Sequence, residues 1–101
     1  MKLRVGLALA SAVDSTNVIV TKAPEGDVEL TCGGVAMVVK GSAVPDATAD
    51  PGHLGGTLVG KRYVDAAETL EVLCTKPGDA SLALAGVPLV TAEAKALPSS
   101  D

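Results

Sequence analysis

Apolar and polar positions along this chain change period several times, and no helical period is sustained. Val18, Ile19 and Val20 follow one another, a β-branched run that disfavours helix and suits a pleated surface. Residues 28–32, Val-Glu-Leu-Thr-Cys, alternate apolar with polar, the period of a half-buried strand. Between them Ala23-Pro24-Glu25-Gly26-Asp27 carries the Pro and Gly that set turn geometry. The two runs are therefore expected to pair as a hairpin across a loop of about five residues. Gly33-Gly34 then interrupts the ladder, and residues 35–39 read as a further strand. At the front, residues 2–10 are mostly apolar and β-compatible, and Asp14-Ser15-Thr16-Asn17 reads as a turn.

The pattern is written a second time. Residues 18–38 and 72–90 each hold an apolar run, Thr-Lys, a Pro/Gly/Asp turn, a second apolar run and a closing Gly-Val-x-Met/Leu-Val. Gly26-Asp27, Leu30 and Gly34-Val35 match Gly78-Asp79, Leu82 and Gly86-Val87, while Thr21-Lys22 matches Thr75-Lys76 with a turn two residues shorter. Val13-Asp14 echoes Val64-Asp65. These matches predict an internal duplication, with one copy at about residues 13–39 and the other at about 63–90. Residues 41–60 lie between them and hold two of the six prolines and five of the eleven glycines. This is an irregular linker, and loops of that length tend to be functional or flexible. Residues 92–101 read as a frayed tail. The expected architecture is all-β: two small hairpin or three-stranded units related by a pseudo-twofold axis, packed into one sandwich- or barrel-like domain.

Composition narrows the reading. With 101 residues, 48% of them hydrophobic, the chain is long enough for one domain and too apolar for disorder. Tyr63 is the only aromatic residue, so Ala, Val and Leu must fill the core. Each removes less surface from water than an aromatic would, and a small core of this kind gains from association with a partner or a second copy. The net charge is −4 and the eight basic residues form no stripe, which sets nucleic-acid binding aside. Lys2, Arg4 and the apolar run that follows resemble a short signal peptide. The apolar run covers only residues 5–10, however, and reads better as a first strand. No other stretch reaches the ~18 apolar residues of a membrane span. The expected location is cytoplasmic, without membrane or nucleic-acid partners.

Few side chains carry chemistry. Cys32 and Cys74 are the only thiols and fall on the apolar phase of their strands. They read first as small buried hydrophobes. A Cys32–Cys74 disulfide and a reactive or metal-binding Cys32, helped by the amides of Gly33-Gly34, are the alternatives. His53 is the only histidine, with Asp46 and Asp50 near enough in sequence to orient it. Asp65 and Glu68, three apart, are candidates for a weak cation site. Lys22 and Lys76 recur with the duplicated pattern, either to meet an acidic partner or to protect a strand edge. No P-loop, dinucleotide fingerprint or hydrolase nucleophile motif is present.

Residues 18–37 and 69–89 resemble the C-terminal half of desulforedoxin-like modules, the small iron-binding β units also found at the front of desulfoferrodoxin. That family runs Tyr-x-Cys-x-x-Cys-Gly, Val-x-Val-Leu, a Gly-rich turn and Leu-x-Cys-Cys-Gly-x-x-Met. Tyr63, Leu70-Glu71-Val72-Leu73, Gly78, Leu82, Gly86 and Leu89 fit the second copy. Leu30, Cys32, Gly34 and Met37 fit the end of the first. The resemblance implies the scaffold but not its metal. Asp65 and Glu68 stand where the Cys-x-x-Cys belongs, Leu84-Ala85 where the Cys-Cys belongs, and one thiol, Cys32, remains for a site that needs four.

The reading that follows is a non-enzymatic β domain with no cofactor. It would act as an accessory or binding subunit for a protein partner or for itself, with Lys22, Lys76 and His53 as candidate contact residues. A redox or metal protein using Cys32, and a small enzyme using His53 with nearby carboxylates, are the alternatives.

Overall fold

In a computed structural model the described residues are 1–92, so most of the expected tail at 92–101 lies outside them. Ten short strands build two antiparallel sheets: β1 (Ala8–Ala10), β2 (Asn17–Lys22), β3 (Leu30–Cys32), β4 (Val35–Ala36), β5 (Val38–Val39), β6 (Arg62–Val64), β7 (Glu71–Lys76), β8 (Leu82–Leu84), β9 (Val87–Pro88) and β10 (Val90–Thr91). The six-stranded sheet runs β10-β6-β7-β2-β1-β5 and the four-stranded sheet β4-β3-β8-β9. The all-β expectation holds.

Period-2 burial explains the central strands. Val18 and Val20 of β2 and Val72 and Cys74 of β7 are buried, and their neighbours Ile19 and Leu73 are half-buried. Val18, Val20, Val72 and Cys74 meet Leu9, Tyr63 and Leu70, together with Leu30, Cys32 and Leu82 from the other sheet, in one cluster. Leu3 and Leu9 are both in this core, which makes the N-terminal stretch part of the fold. Only Ala8–Ala10 of it is a strand, because Gly6, with φ +92°, turns the chain and the Leu7 amide donates to Arg4 O at 3.1 Å. No helix among the described residues is long and apolar enough to cross a membrane.

Three expectations are corrected. Residues 18–22 do not pair with 28–32. β2 pairs with β1 and β7, and β3 with β4 and β8, so the Pro24–Asp27 loop carries the chain from one sheet to the other. Residues 35–39 are not one strand. Met37, 2% exposed, turns into the core between β4 and β5, which join different sheets, and its amide donates to Leu30 O at 3.0 Å. Lys22 and Lys76 do not guard an edge, because β2 and β7 are the two middle strands of the larger sheet.

Both strand orders are unchanged when β1–β5 are exchanged for β6–β10. The register behaves the same way. Val18 faces Cys74 as Val72 faces Val20, and Asn17 faces Lys76 as Glu71 faces Lys22, around the central pair Ile19 and Leu73. In the smaller sheet Leu30 faces Leu84 as Leu82 faces Cys32, around Thr31 and Ala83. Leu89 sits between β9 and β10 as Met37 does between β4 and β5, donating to Leu82 O at 3.0 Å.

Candidate functional site

The densest polar cluster lies where the β1–β2 loop meets the loop before β8. Ser11 begins it: its amide donates to Thr16 O at 2.9 Å, and its hydroxyl accepts the Val13 and Asp14 amides at 3.1 and 3.2 Å. Asp14 then closes an Asx turn, Oδ1 accepting the Thr16 amide at 3.0 Å and Oδ2 the Thr16 hydroxyl at 3.0 Å. From the other half of the chain, the Ala80 amide donates to Asp14 Oδ2 at 2.8 Å. Thr16 Oγ1 lies 3.1 Å from Thr57 Oγ1, which accepts the Gly78 amide at 3.1 Å. The Ser15 hydroxyl donates to Pro77 O at 2.7 Å.

This arrangement explains Gly78. A Cβ there would collide with Thr16 Oγ1 and with the Asp14 carboxylate. Its counterpart Gly26 has open space around it and is Gly for its φ of +80°, so the matched glycines answer different physical demands.

Burial raises the Asp14 carboxyl, but hydrogen bonds from the Ala80 and Thr16 amides and from the Thr16 hydroxyl outweigh it and hold the group below its usual range. The carboxylate therefore ties the β1–β2 loop to the loop before β8. The Cys32 thiol points at Asp14 Oδ1 from 3.9 Å. Burial, and secondarily the Asp14 charge, pushes that thiol up. Burial also pushes Cys74 up, and its Sγ lies 3.2 Å from Lys76 O. Both cysteines are free and buried. The Gly33 amide donates to Ser81 O at 3.0 Å rather than to sulfur. Both are therefore protonated, shielded thiols at neutral pH.

The remaining sequence candidates are dispersed. Asp65 Oδ1 accepts the Thr69 and Leu70 amides at 2.8 and 3.0 Å and Oδ2 the Thr69 hydroxyl at 2.8 Å. Burial acts to raise its carboxyl, and these bonds overcome it and lower the group. Glu68 sits in the same loop with φ +60°, its amide on Asp65 O at 3.0 Å. Among the described residues no three His, Cys, Asp or Glu side chains are grouped to hold a metal ion.

His53 ends a 3-10 turn, Pro51–His53, capped by Asp50, whose Oδ1 accepts the Gly52 amide at 2.9 Å. Asp50 is thus engaged with backbone and does not orient the imidazole. Lys22 and Lys76 are exposed at opposite ends of the β2–β7 ladder, roughly 17 Å apart along the strand at ~3.3 Å per residue. The adjacent threonines close that ladder: Thr21 donates to Glu71 O at 3.1 Å and Thr75 to Asn17 O at 3.3 Å.

The 41–60 excursion is pinned at several points. The Asp50 amide donates to Gly33 O at 2.7 Å, the Ser81 amide to His53 O at 2.8 Å and the Thr57 amide to Gly78 O at 3.0 Å. Outside these anchors it exposes Val44, Leu54, Leu58 and Val59, each 50–61% accessible. Composition suggested a linker but gave no sign of these anchors. Nor did it reveal the Asp14 cluster, whose sequence signals were the turn at Asp14-Ser15-Thr16-Asn17 and the echo of Val13-Asp14 in Val64-Asp65. No family model, curated protein or solved structure matches the chain.

Proposed function

We propose that this protein is a non-enzymatic binding module that engages a protein partner through its β surface and the 41–60 excursion. The observation that carries the reading is an excursion held by main-chain bonds to Gly33, Gly78 and Ser81 while four large apolar side chains face solvent. Anchoring removes most of the entropy that ordering a loop would cost on binding, and exposed apolar side chains on an ordered segment suit an interaction surface. The distribution of chemistry supports the same reading. The Asp14 and Asp65 carboxylates are taken up by loop amides, both thiols are buried, and the Asp50 carboxylate caps a turn instead of pairing with His53. The exchange symmetry of the strand orders supports a scaffold made by duplication of one β unit.

The test is a triple variant, Leu54→Ser, Leu58→Ser and Val59→Ser. All three side chains are at least half exposed, so stability should change by under about 1 kcal/mol. Self-association in light scattering, or capture of the partner, should be lost. A parent protein that is strictly monomeric and partnerless, or a variant that keeps the association, overturns the proposal.

A further inference from the structure

The two β-turns of the smaller sheet are built alike but occupied differently. At the β3–β4 turn, Gly33 and Gly34 have φ +66° and +80°, and at the β8–β9 turn Ala85 and Gly86 have φ +51° and +85°. Each turn amide bonds across the sheet, Gly33 to Ser81 O at 3.0 Å and Ala85 to Glu29 O at 2.9 Å. On the first side two further main-chain groups are filled by the chain itself. Gly33 O takes the Asp50 amide, and the Ser81 amide donates to His53 O, across a tight turn closed by the His53 amide on Asp50 O at 2.9 Å. On the second side the corresponding groups are Ala85 O and the Glu29 amide, and no described residue bonds either of them. A hollow of about 390 Å³ opens beside Glu29, lined by Asp27, Val28, Glu29, Leu30 and Met37 and by Met1, whose ammonium donates to Val28 O at 3.1 Å.

We propose that this second side is a docking site for a tight turn of a partner polypeptide. The turn would donate a main-chain N–H to Ala85 O and, three residues later, offer a C=O to the Glu29 amide. This rests on the binding-module reading and names the recognised element at a different place on the module. The occupied side supplies the template, Asp50-Pro51-Gly52-His53. The open side supplies the charge preference. Asp27 matches Asp79 and Glu29 replaces Ser81, so the one added carboxylate favours a Lys or Arg at the fourth turn position, where the chain's own turn carries His53. Recognition is chiefly main-chain, as in strand addition, with the Glu29 carboxylate selecting the side chain.

The experiment uses the full chain, isotope-labelled, titrated with a capped peptide of residues 47–55 carrying His53→Lys. Binding shifts the Glu29 and Gly86 amides and slows hydrogen exchange at Glu29 by tenfold or more at saturation, while Ser81, already bonded, is unmoved. Glu29→Gln keeps the N–H and removes the charge, so it weakens the Lys peptide by about two- to five-fold and leaves the unsubstituted peptide unchanged. Glu29→Pro removes the N–H and abolishes both interactions. Absence of a Glu29 shift at millimolar peptide, a shift at Ser81 in place of Glu29, or equal affinity of the Lys peptide for the parent and Glu29→Gln overturns the proposal. None of these outcomes bears on association through Leu54, Leu58 and Val59, which the triple serine variant reads separately.

Discussion

Replacing Asp14 by alanine is expected to cost the fold on the order of 3–5 kcal/mol. The carboxylate accepts the Ala80 amide at 2.8 Å, the Thr16 amide at 3.0 Å and the Thr16 hydroxyl at 3.0 Å. Hydrogen bonds to a charged acceptor contribute about 1.5–3 kcal/mol each, and a partly buried donor stranded by the change costs ~1–3 kcal/mol. The three bonds share one carboxylate and are not additive, which keeps the total below their sum. The bond to Ala80 spans 66 residues, so its loss also removes one of the ties between the loop before β8 and the β1–β2 loop, leaving the Ser15 hydroxyl on Pro77 O. A chain of this size has about 5–15 kcal/mol of stability in all, and 1 kcal/mol moves Tm by roughly 4–8 °C. A fall of at least ~12 °C should appear in thermal melts, with a matching shift of the urea midpoint at constant slope. Asp14→Asn keeps one acceptor oxygen but sets an NH₂ against an amide donor, so it should fall between parent and alanine. If Asp14→Ala lies within 1 kcal/mol of the parent, the carboxylate is not what ties the two loops together, and the structural account of the site fails.

Acid should act through the same groups. The Asp14 and Asp65 carboxyls are held below their ordinary values, so their contribution is present above the unfolded pKa of about 3.9 and is lost as pH falls through the lower folded values. Stability measured by urea titration should therefore drop below about pH 4, and the double alanine variant should flatten that dependence; an unchanged slope counts against it. The corresponding turn positions 33 and 85 should respond with opposite signs. Ala85→Gly relieves an αL residue worth ~1–2 kcal/mol against ~0.4–1 kcal/mol of added unfolded-state entropy, a net gain of about 0.5 kcal/mol. Gly33→Ala places a Cβ 2.7 Å from Val13 Cγ2 at a φ of +66° and should lose at least about 2 kcal/mol; equal responses in denaturant titrations would refute the distinction. Cys32 and Cys74, buried and with raised thiol pKa values, should react with a thiol reagent at pH 8 only as the fold opens, faster in mild urea. Stoichiometric labelling within seconds would contradict this.

The fold class was legible in the sequence because Val18-Ile19-Val20 and the alternation at 28–32 report which faces are buried. Those patterns do not say which sheet a strand joins, and so the expected 18–22/28–32 hairpin was wrong. β2 finds its partner in β7, more than fifty residues away, and period-2 burial is equally satisfied by either pairing. The break at Met37 was hidden for a related reason: Val35 to Val39 is apolar throughout, and only the packing of two sheets makes one of those side chains turn inward. The Asp14 cluster depends on Thr57, Gly78 and Ala80, each brought in by the long-range fold. Local patterning could identify the turn at Asp14 but not the groups that complete it.

The differences between the corresponding positions are more informative than their likeness. Leu89 repeats the role of Met37, and Thr75 that of Thr21, because both halves must build the same two sheets. That shared demand fixes strands and crossing residues and says nothing about a ligand. At Gly33 and Ser81 the main-chain groups are closed by the chain's own turn, whereas at Ala85 and Glu29 the same groups have no partner among the described residues, and Glu29 borders a hollow. A glycine is required on the closed side, since Ala49 and Val13 crowd it, and an alanine is tolerated on the open side. An exposed N–H and C=O facing water cost the monomer little, but their fixed spacing makes them specific for one geometry of incoming backbone. The Glu29 carboxylate, which stands where the closed corner has Ser81, is what makes a basic turn, rather than an arbitrary one, the occupant that our proposal predicts.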